Sequence, residues 1–295
     1  DPEGGSNLLA ALVAPAGERD DLVVATVRLP RVLAAIAVGA ALGVAGAIMQ
    51  AMTANPLAEP GLLGVNAGAA FGVVVAIAFL DVSAVGALVW VAFLGAALAA
   101  ALVATLGRGA TPIRIVLAGV VVTTFLGALT ASILVLDAQT LEAVRLWTAG
   151  SLAGRRMSEI GAVLPYLLLA LGASLLAARH FTTMSLGADA AAALGQSPAL
   201  WRAGGAAMVV GLAGSAVALA GPIGFVGLLA PHLARRTVGG DYRRVLPVAM
   251  LAGATLTLAA DTLPRALFGR DVPAGVTLAL IGAPVLVWIA RRRPA

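Results

Sequence analysis

Residues 28–289 alternate long apolar runs with short polar breaks, and nine apolar stretches stand out at about 29–52, 62–80, 84–106, 113–136, 159–179, 203–221, 222–236, 246–263 and 273–290. Bilayer hydrocarbon is about 30 Å thick and takes about 20 apolar helical residues to cross. With no water to pair with, the backbone must satisfy its own hydrogen bonds there. The pattern therefore predicts an all-α polytopic membrane protein with nine transmembrane helices, of which 222–236 is short for a full crossing. The first break holds a proline-bracketed polar insert, Asn55-Pro56-Leu57-Ala58-Glu59-Pro60-Gly61. Segment 140–149 carries Glu142, Arg145 and Trp147 and reads as an amphipathic helix at the interface. Segment 182–202, polar and alanine-rich, is too charged for lipid and is expected to be helical in pieces, the largest loop available for a protein contact. Residues 1–27 form an external segment ahead of the first span, polar and acidic around one apolar patch at 8–13 and without a signal-peptide pattern. Gly64, Gly68 and Gly72 share one helical face, as do Gly39 and Gly43, a signature of close helix packing in lipid, either within one subunit or at a dimer seam.

Composition supports the same class. The chain is 61% hydrophobic and 11% charged with a mean hydropathy of +1.01, against about 25% charged in soluble domains. A net charge of +5 and a pI near 11.1 would suggest nucleic acid in a soluble protein. Here the arginines gather at span ends, where topology explains them, so nucleic acid is not an expected partner. With the insert after the first span on the cytoplasmic side, the inner loops carry eleven arginines against three acids, net +8, and the outer ones eight against eleven, net −3. That asymmetry places residues 1–27 outside and the C-terminus in the cytoplasm. Cysteine is absent, which removes disulfides and thiolate metal sites. Lysine is absent too, and a P-loop needs one to reach nucleotide phosphates, so any ATP must be handled by a partner.

Few polar residues remain as candidate sites. Arg28 and Arg31 lie three apart at the start of the first span and share a helical face. They fit either a receptor for acidic groups or interfacial anchoring by snorkelling. Arg265 invites the same two readings. Asp261 is the acid nearest a span interior, a functional candidate by default, although an i to i+4 ion pair with Arg265 is the simpler account. His180 and His232 stand beside arginines without metal-ligand spacing, and no Ser-His-Asp order or HExxH motif is present.

Three blocks together carry a family resemblance: RLPRVLAAIAVGAALGVAGAIMQAMTANPLAEPGLLG at 28–64, LGADAAAALGQSPALW at 186–201, and GPIGFVGLLAPH at 221–232. The chain resembles the FecCD-like permease subunits of type II ABC importers, which take up iron-siderophore complexes, haem and cobalamin, and the likeness covers essentially all of 22–293. Such permeases have ten spans, so nine imply the family's ten-helix bundle lacking its first helix. The resemblance makes 28–295 the transmembrane permease domain and 182–202 its cytoplasmic coupling loop. It implies a second permease subunit, identical or paired as a heterodimer, two ABC ATPase subunits inside and a substrate-binding protein outside, with membrane lipid around the bundle. ATP and Mg would sit on the partner subunits, and no cofactor or metal on this chain.

Residue by residue, the resemblance implies that Arg28, Arg31 and Arg265 dock the binding protein's glutamates. Leu186, Gly187, Leu194, Gly195 and Leu200 would contact the ATPase, and Ala110, Thr111 and Pro112 would occupy the cytoplasmic gate. Thr123, Thr124, Thr130, Ser132 and Thr277 are expected to line the pathway or to bond back to their own backbone. The segment WTAGSLAGR at 147–155 looks like that of siderophore permeases, and Arg145, Arg155 and Arg156 near it would either attract an anionic chelate or serve as topology-neutral surface charges. The expected activity is ATP-driven import of a ferric siderophore by alternating access across a bacterial inner membrane, with haem or cobalamin as alternative cargo. The rival of another class is a secondary transporter or channel, which would need midplane ion ligands that this chain scarcely offers.

Overall fold

The computed structural model describes residues 22–107 and 112–291, and every regular element among them is helical. A π turn, Val24–Arg28, runs straight into α1 (Leu29–Thr53). A 3-10 turn, Pro60–Leu63, precedes α2 (Val65–Leu80), and α3 (Val85–Leu106), α4 (Pro112–Leu136), α5 (Ala138–Thr148) and α6 (Met157–Leu176) follow. The chain continues through the short α7 (Ala178–Met184) and α8 (Ala188–Ala193), then α9 (Pro198–Ala220), α10 (Val226–Val238), α11 (Tyr242–Phe268) and α12 (Ala274–Arg291). Among the described residues, six helices are long and apolar enough to cross a membrane, and α2 and residues 274–285 of α12 are shorter apolar ones. Each of the nine apolar stretches falls on a helix.

Three helices begin well ahead of the apolar runs that announce them. The first helix is already formed at Leu22 rather than 29, α9 begins at Pro198 rather than 203, and α11 spans 242–268 rather than 246–263. Polar caps set the starts of α9 and α11. Ser197 accepts from the Leu200 N–H with Pro198 as first helical residue, and Asp241 accepts from the Arg243 N–H. Charged turns beyond the hydrocarbon remain helical because propensity, unlike hydropathy, does not stop at the headgroups. At about 1.5 Å per residue the 13-residue α10 is only about 20 Å long, as the short seventh stretch foretold.

α1 is the hub. Its apolar window is 78% buried, against 11% for α4, and it packs on α9, α10 and α11. Glycine makes the approach possible. A Cβ on Gly39 would strike the carbonyl of Gly253, one on Gly46 the carbonyl of Gly227, and one on Gly68 the carbonyl of Gly95. The glycine faces thus join α1 to α11, α1 to α10 and α2 to α3 within one subunit. Gln50 adds a buried hydrogen bond, its Nε2 donating to the Gly227 carbonyl at 3.2 Å.

The polar insert folds back among these helices. It leaves α1 through Ala54 in the left-handed region and enters α2 through Gly64 at φ +73°. Pro60 lies against Gly227, and Leu62 against Gly119 of α4. The Glu59 carboxylate accepts from the Phe225 N–H, where the chain breaks between α9 and α10. Expectations for the loops hold: 140–149 lies largely on the separate helix α5, and 182–202 is helical in pieces.

Candidate functional site

Two polar surfaces occupy opposite ends of α11. Where α11 ends, it meets the beginning of α1. Arg31 Nε donates to Asp261 Oδ2 at 2.8 Å and Oδ1 at 3.1 Å, and its Nη2 to Oδ1 at 2.9 Å. Arg265, one turn beyond Asp261, places Nη2 2.7 Å from Asp261 Oδ2 and donates Nε to the Asp261 carbonyl at 3.1 Å. Asp261 is 1% exposed, a burial that only paired charge permits. Asp271, in the turn between α11 and α12, completes the group. It lies 3.0 Å from Arg31 Nη2 and 3.7 Å from Arg265 Nε. Two guanidinium groups and two carboxylates leave the cluster electrically balanced.

The three expected docking arginines therefore differ. Arg28 is exposed on the π turn, Arg265 is one-third exposed, and Arg31 is buried within the cluster. The i to i+4 pair of Asp261 with Arg265 is present as the spacing suggested. Asp271 was missed, although an acid two residues before Pro273 at the same end of the bundle was a visible signal. Of the arginines expected to draw an anionic chelate, Arg145 pairs with Glu142 at 3.2 Å and Arg155 with Glu159 at 3.4 Å, and Arg156 is exposed.

The second surface lies at the other end of α11. Tyr242 N donates to Thr182 Oγ1 at 2.9 Å, and that hydroxyl donates to Asp241 at 3.2 Å. These bonds tie the 182–202 loop to the α11 start, roughly 30 Å along the helix from Asp261 at 1.5 Å per residue. Phe181 and Met184 anchor the loop from beneath, both buried. His180 stacks on Trp201 with ring centroids 3.7 Å apart and bridges Arg179 Nε at 3.2 Å and Gln196 at 3.1 Å. Burial, and then the adjacent Arg179 charge, hold its imidazole below the usual histidine range.

On this anchored base the loop shows apolar surface to water. Leu186, Leu194 and Leu200 are 66%, 65% and 66% exposed. Gly187 and Gly195 turn the chain at φ +104° and +77°, conformations that L side chains seldom adopt. All five expected contact residues are thus brought into one short stretch.

The other expected residues scatter. Ala110 and Thr111 lie outside the described residues, and Pro112 opens α4. Thr123, Thr124 and Ser132 stand on the open side of α4, where Ser132 donates to the Ala128 carbonyl at 2.9 Å. Thr130 and Thr277 are buried and donate to Leu126 and Pro273 carbonyls of their own helices or helix starts, at 2.8 and 3.5 Å. Neither presents its hydroxyl on an open face of this chain, because the helix backbone has captured it.

Comparison with known proteins fits these features. The chain is 41% identical to the ferric enterobactin transport system permease protein FepD of Escherichia coli (strain K12), over 98% of its own length and 87% of the relative's. It is 39% identical to the Fe(3+)-citrate import system permease protein YfmD of Bacillus subtilis (strain 168), over 94% and 83% of the two chains. Among solved structures, one described as a metal-chelate type ABC transporter in an inward-facing conformation matches with a TM-score of 0.85 and 29% identity, covering 97% of this chain and 98% of that one. The profile of the FecCD transport family matches residues 4–292, and the chain belongs to that family of multi-pass membrane permeases.

Proposed function

We propose that this chain is the membrane-spanning permease subunit of an ATP-driven importer that carries a ferric siderophore inward by alternating access. The observation that carries the reading is the placement of two partner-type surfaces at the two ends of one helix, α11, in a chain whose relatives are named for ferric enterobactin and Fe(3+)-citrate. At the outer end, Arg28, Arg31 and Arg265 receive acidic groups of a binding protein. Opposed charges there speed encounter and set register more than they add affinity. At the inner end, Leu186, Leu194 and Leu200 enter a cleft on an ABC ATPase, with Gly187 and Gly195 shaping the turns.

The excess of arginine in the loops of the 182–202 side supports a cytoplasmic placement for that loop and for the C-terminus, in a bacterial inner membrane. ATP and Mg are bound by the two partner ATPases. A second permease subunit covers the bare face of α4, where Leu117, Val121 and Phe125 are each about 60% exposed. The pathway then runs between the subunits past Thr123, Thr124 and Ser132, with Ala110, Thr111 and Pro112 at its inner gate. Nucleotide and binding protein drive the switch because each prefers one of its two states.

The test is reconstitution of the permease in proteoliposomes with its ATPases and binding protein, offered ferric enterobactin, ferric citrate, haem and cobalamin. Uptake of a ferric siderophore that stops without ATP is expected. Uptake by the permease alone would overturn the ATP-driven reading in favour of a secondary transporter, and a preference for haem or cobalamin would overturn the cargo.

A further inference from the structure

The carboxylates of the cluster at the α1–α11 junction are not equivalent. The Asp261 side chain, 2% exposed, is sealed between Arg31 and Arg265, whereas that of Asp271 is 62% exposed. The Asp271 Oδ1 nevertheless approaches both guanidinium groups, at 3.0 Å from Arg31 Nη2 and 3.7 Å from Arg265 Nε. Arg31 itself keeps only 8% of its side chain exposed. A carboxylate arriving from solution competes with Asp271 for Arg31 Nη2.

We infer that Asp271 is an internal stand-in for a partner's carboxylate: Arg31 and Arg265 form a carboxylate seat that Asp271 fills at rest and yields when an acidic side chain of the binding protein enters. The inference rests on the docking reading above and adds to it the means by which the seat is regulated.

Charge bookkeeping favours a like-for-like exchange. Two guanidinium groups face two carboxylates both before and after it, so neither end state leaves a buried charge unpaired, the condition that makes ion pairs costly to break. Asp261 keeps Arg31 and Arg265 in place throughout, through its bonds to both. Asp271 is displaceable because its own side chain is 62% exposed and salt screens its attraction to the two guanidinium groups. The resting occupant also raises selectivity. A small anion must compete with a tethered carboxylate, while a rigid protein surface brings additional contacts with its own.

The exchange has a structural consequence. Asp271 sits in the turn 269–273, which leaves α11 through Gly269 at φ +62° and enters α12, where Gly275 N bonds to the Gly150 carbonyl at 3.0 Å. With Asp271 seated, the turn is tied at both ends and in its middle. With Asp271 out, the middle tie is gone, and docking changes how α12 is held. A partner carboxylate binds only the state with Asp271 displaced, which is the differential affinity that a switch requires.

The experiment measures capture of the chelate-free binding protein by the assembled importer in lipid nanodiscs. Asp271→Asn leaves the seat with one net positive charge and is expected to tighten capture about fivefold or more, mainly through faster association that salt abolishes. Arg265→Glu and Arg28→Glu are expected to weaken it about tenfold or more. If both reversals leave capture unchanged, the docking reading fails and this inference falls with it. If the reversals weaken capture but Asp271→Asn leaves it the same or weaker, the inference alone is overturned. Hydrogen exchange of residues 269–273 in the unaltered importer supplies a readout independent of any variant. Exchange there should rise when the binding protein docks, and unchanged protection would overturn the exchange of carboxylates.

Discussion

At Asp261 a single buried carboxylate is held by two guanidinium groups, one from its own helix and one from a residue 230 positions earlier. The first partner was legible, because Arg265 at i+4 faces Asp261 on any helix. The second was not, since sequence spacing cannot say that the start of α1 and the end of α11 are neighbours. The difference is energetic as well as geometric. Removing one side of a buried pair strands a charge and costs about 3–5 kcal/mol, while losing an exposed pair costs about 0–1 kcal/mol. Asp261→Ala should therefore lower the thermal unfolding midpoint of the purified permease far more than Asp271→Ala. Equal losses would contradict the division between a structural and a displaceable carboxylate. Hydroxyls follow the same logic on a smaller scale. Thr130, Ser132 and Thr277 each satisfy themselves on a nearby carbonyl, a possibility that the sequence raised and only the rotamers decide.

Helices announce themselves by hydropathy but assemble by shape. Apolar length marked all nine stretches, yet it said little about which helix sits at the centre, and α1 and α4 have similar hydropathies of 2.4 and 2.2 despite their opposite burial. The burial of α1 comes from small residues that allow backbone contact, since lipid provides no hydrophobic drive between helices, whereas the bare face of α4 is the one assigned above to a second subunit. One substitution at two glycines tests this. Gly39→Ala forces a Cβ into the Gly253 carbonyl and should cost about 1–3 kcal/mol, as overpacking does. Gly172→Ala in α6 meets nothing within 4 Å and should gain up to about 1 kcal/mol from helix propensity. Unfolding midpoints that move the same way for both variants would refute glycine-mediated packing as the organiser of α1.

At the scale of the molecule, the two polar ends are joined by α11, so an event at either end acts on one continuous helix. The proposed ATPase surface makes a specific demand. Leu194→Asp with Leu200→Asp alters side chains already about two-thirds bare, so the unfolding midpoint should stay near that of the unaltered protein. Retention of the partner ATPases during purification should fall about tenfold or more, equivalent to about 1.4 kcal/mol. Intact retention would remove the loop from the ATPase contact. The sequence by itself determined the solvent of this protein, the order of its apolar helices, the lack of lysine and the loop that carries the leucines Leu186, Leu194 and Leu200. Each follows from local composition, which lipid and water sort residue by residue. Tertiary structure decided that Arg31 is a buried member of a balanced cluster, that Asp271 occupies its seat, that the polar insert folds back against Gly227, and that α1 rather than α4 is the core. Those are contacts between residues far apart in the chain, and they depend on how closely backbones approach, a property of the assembled bundle that no single segment contains.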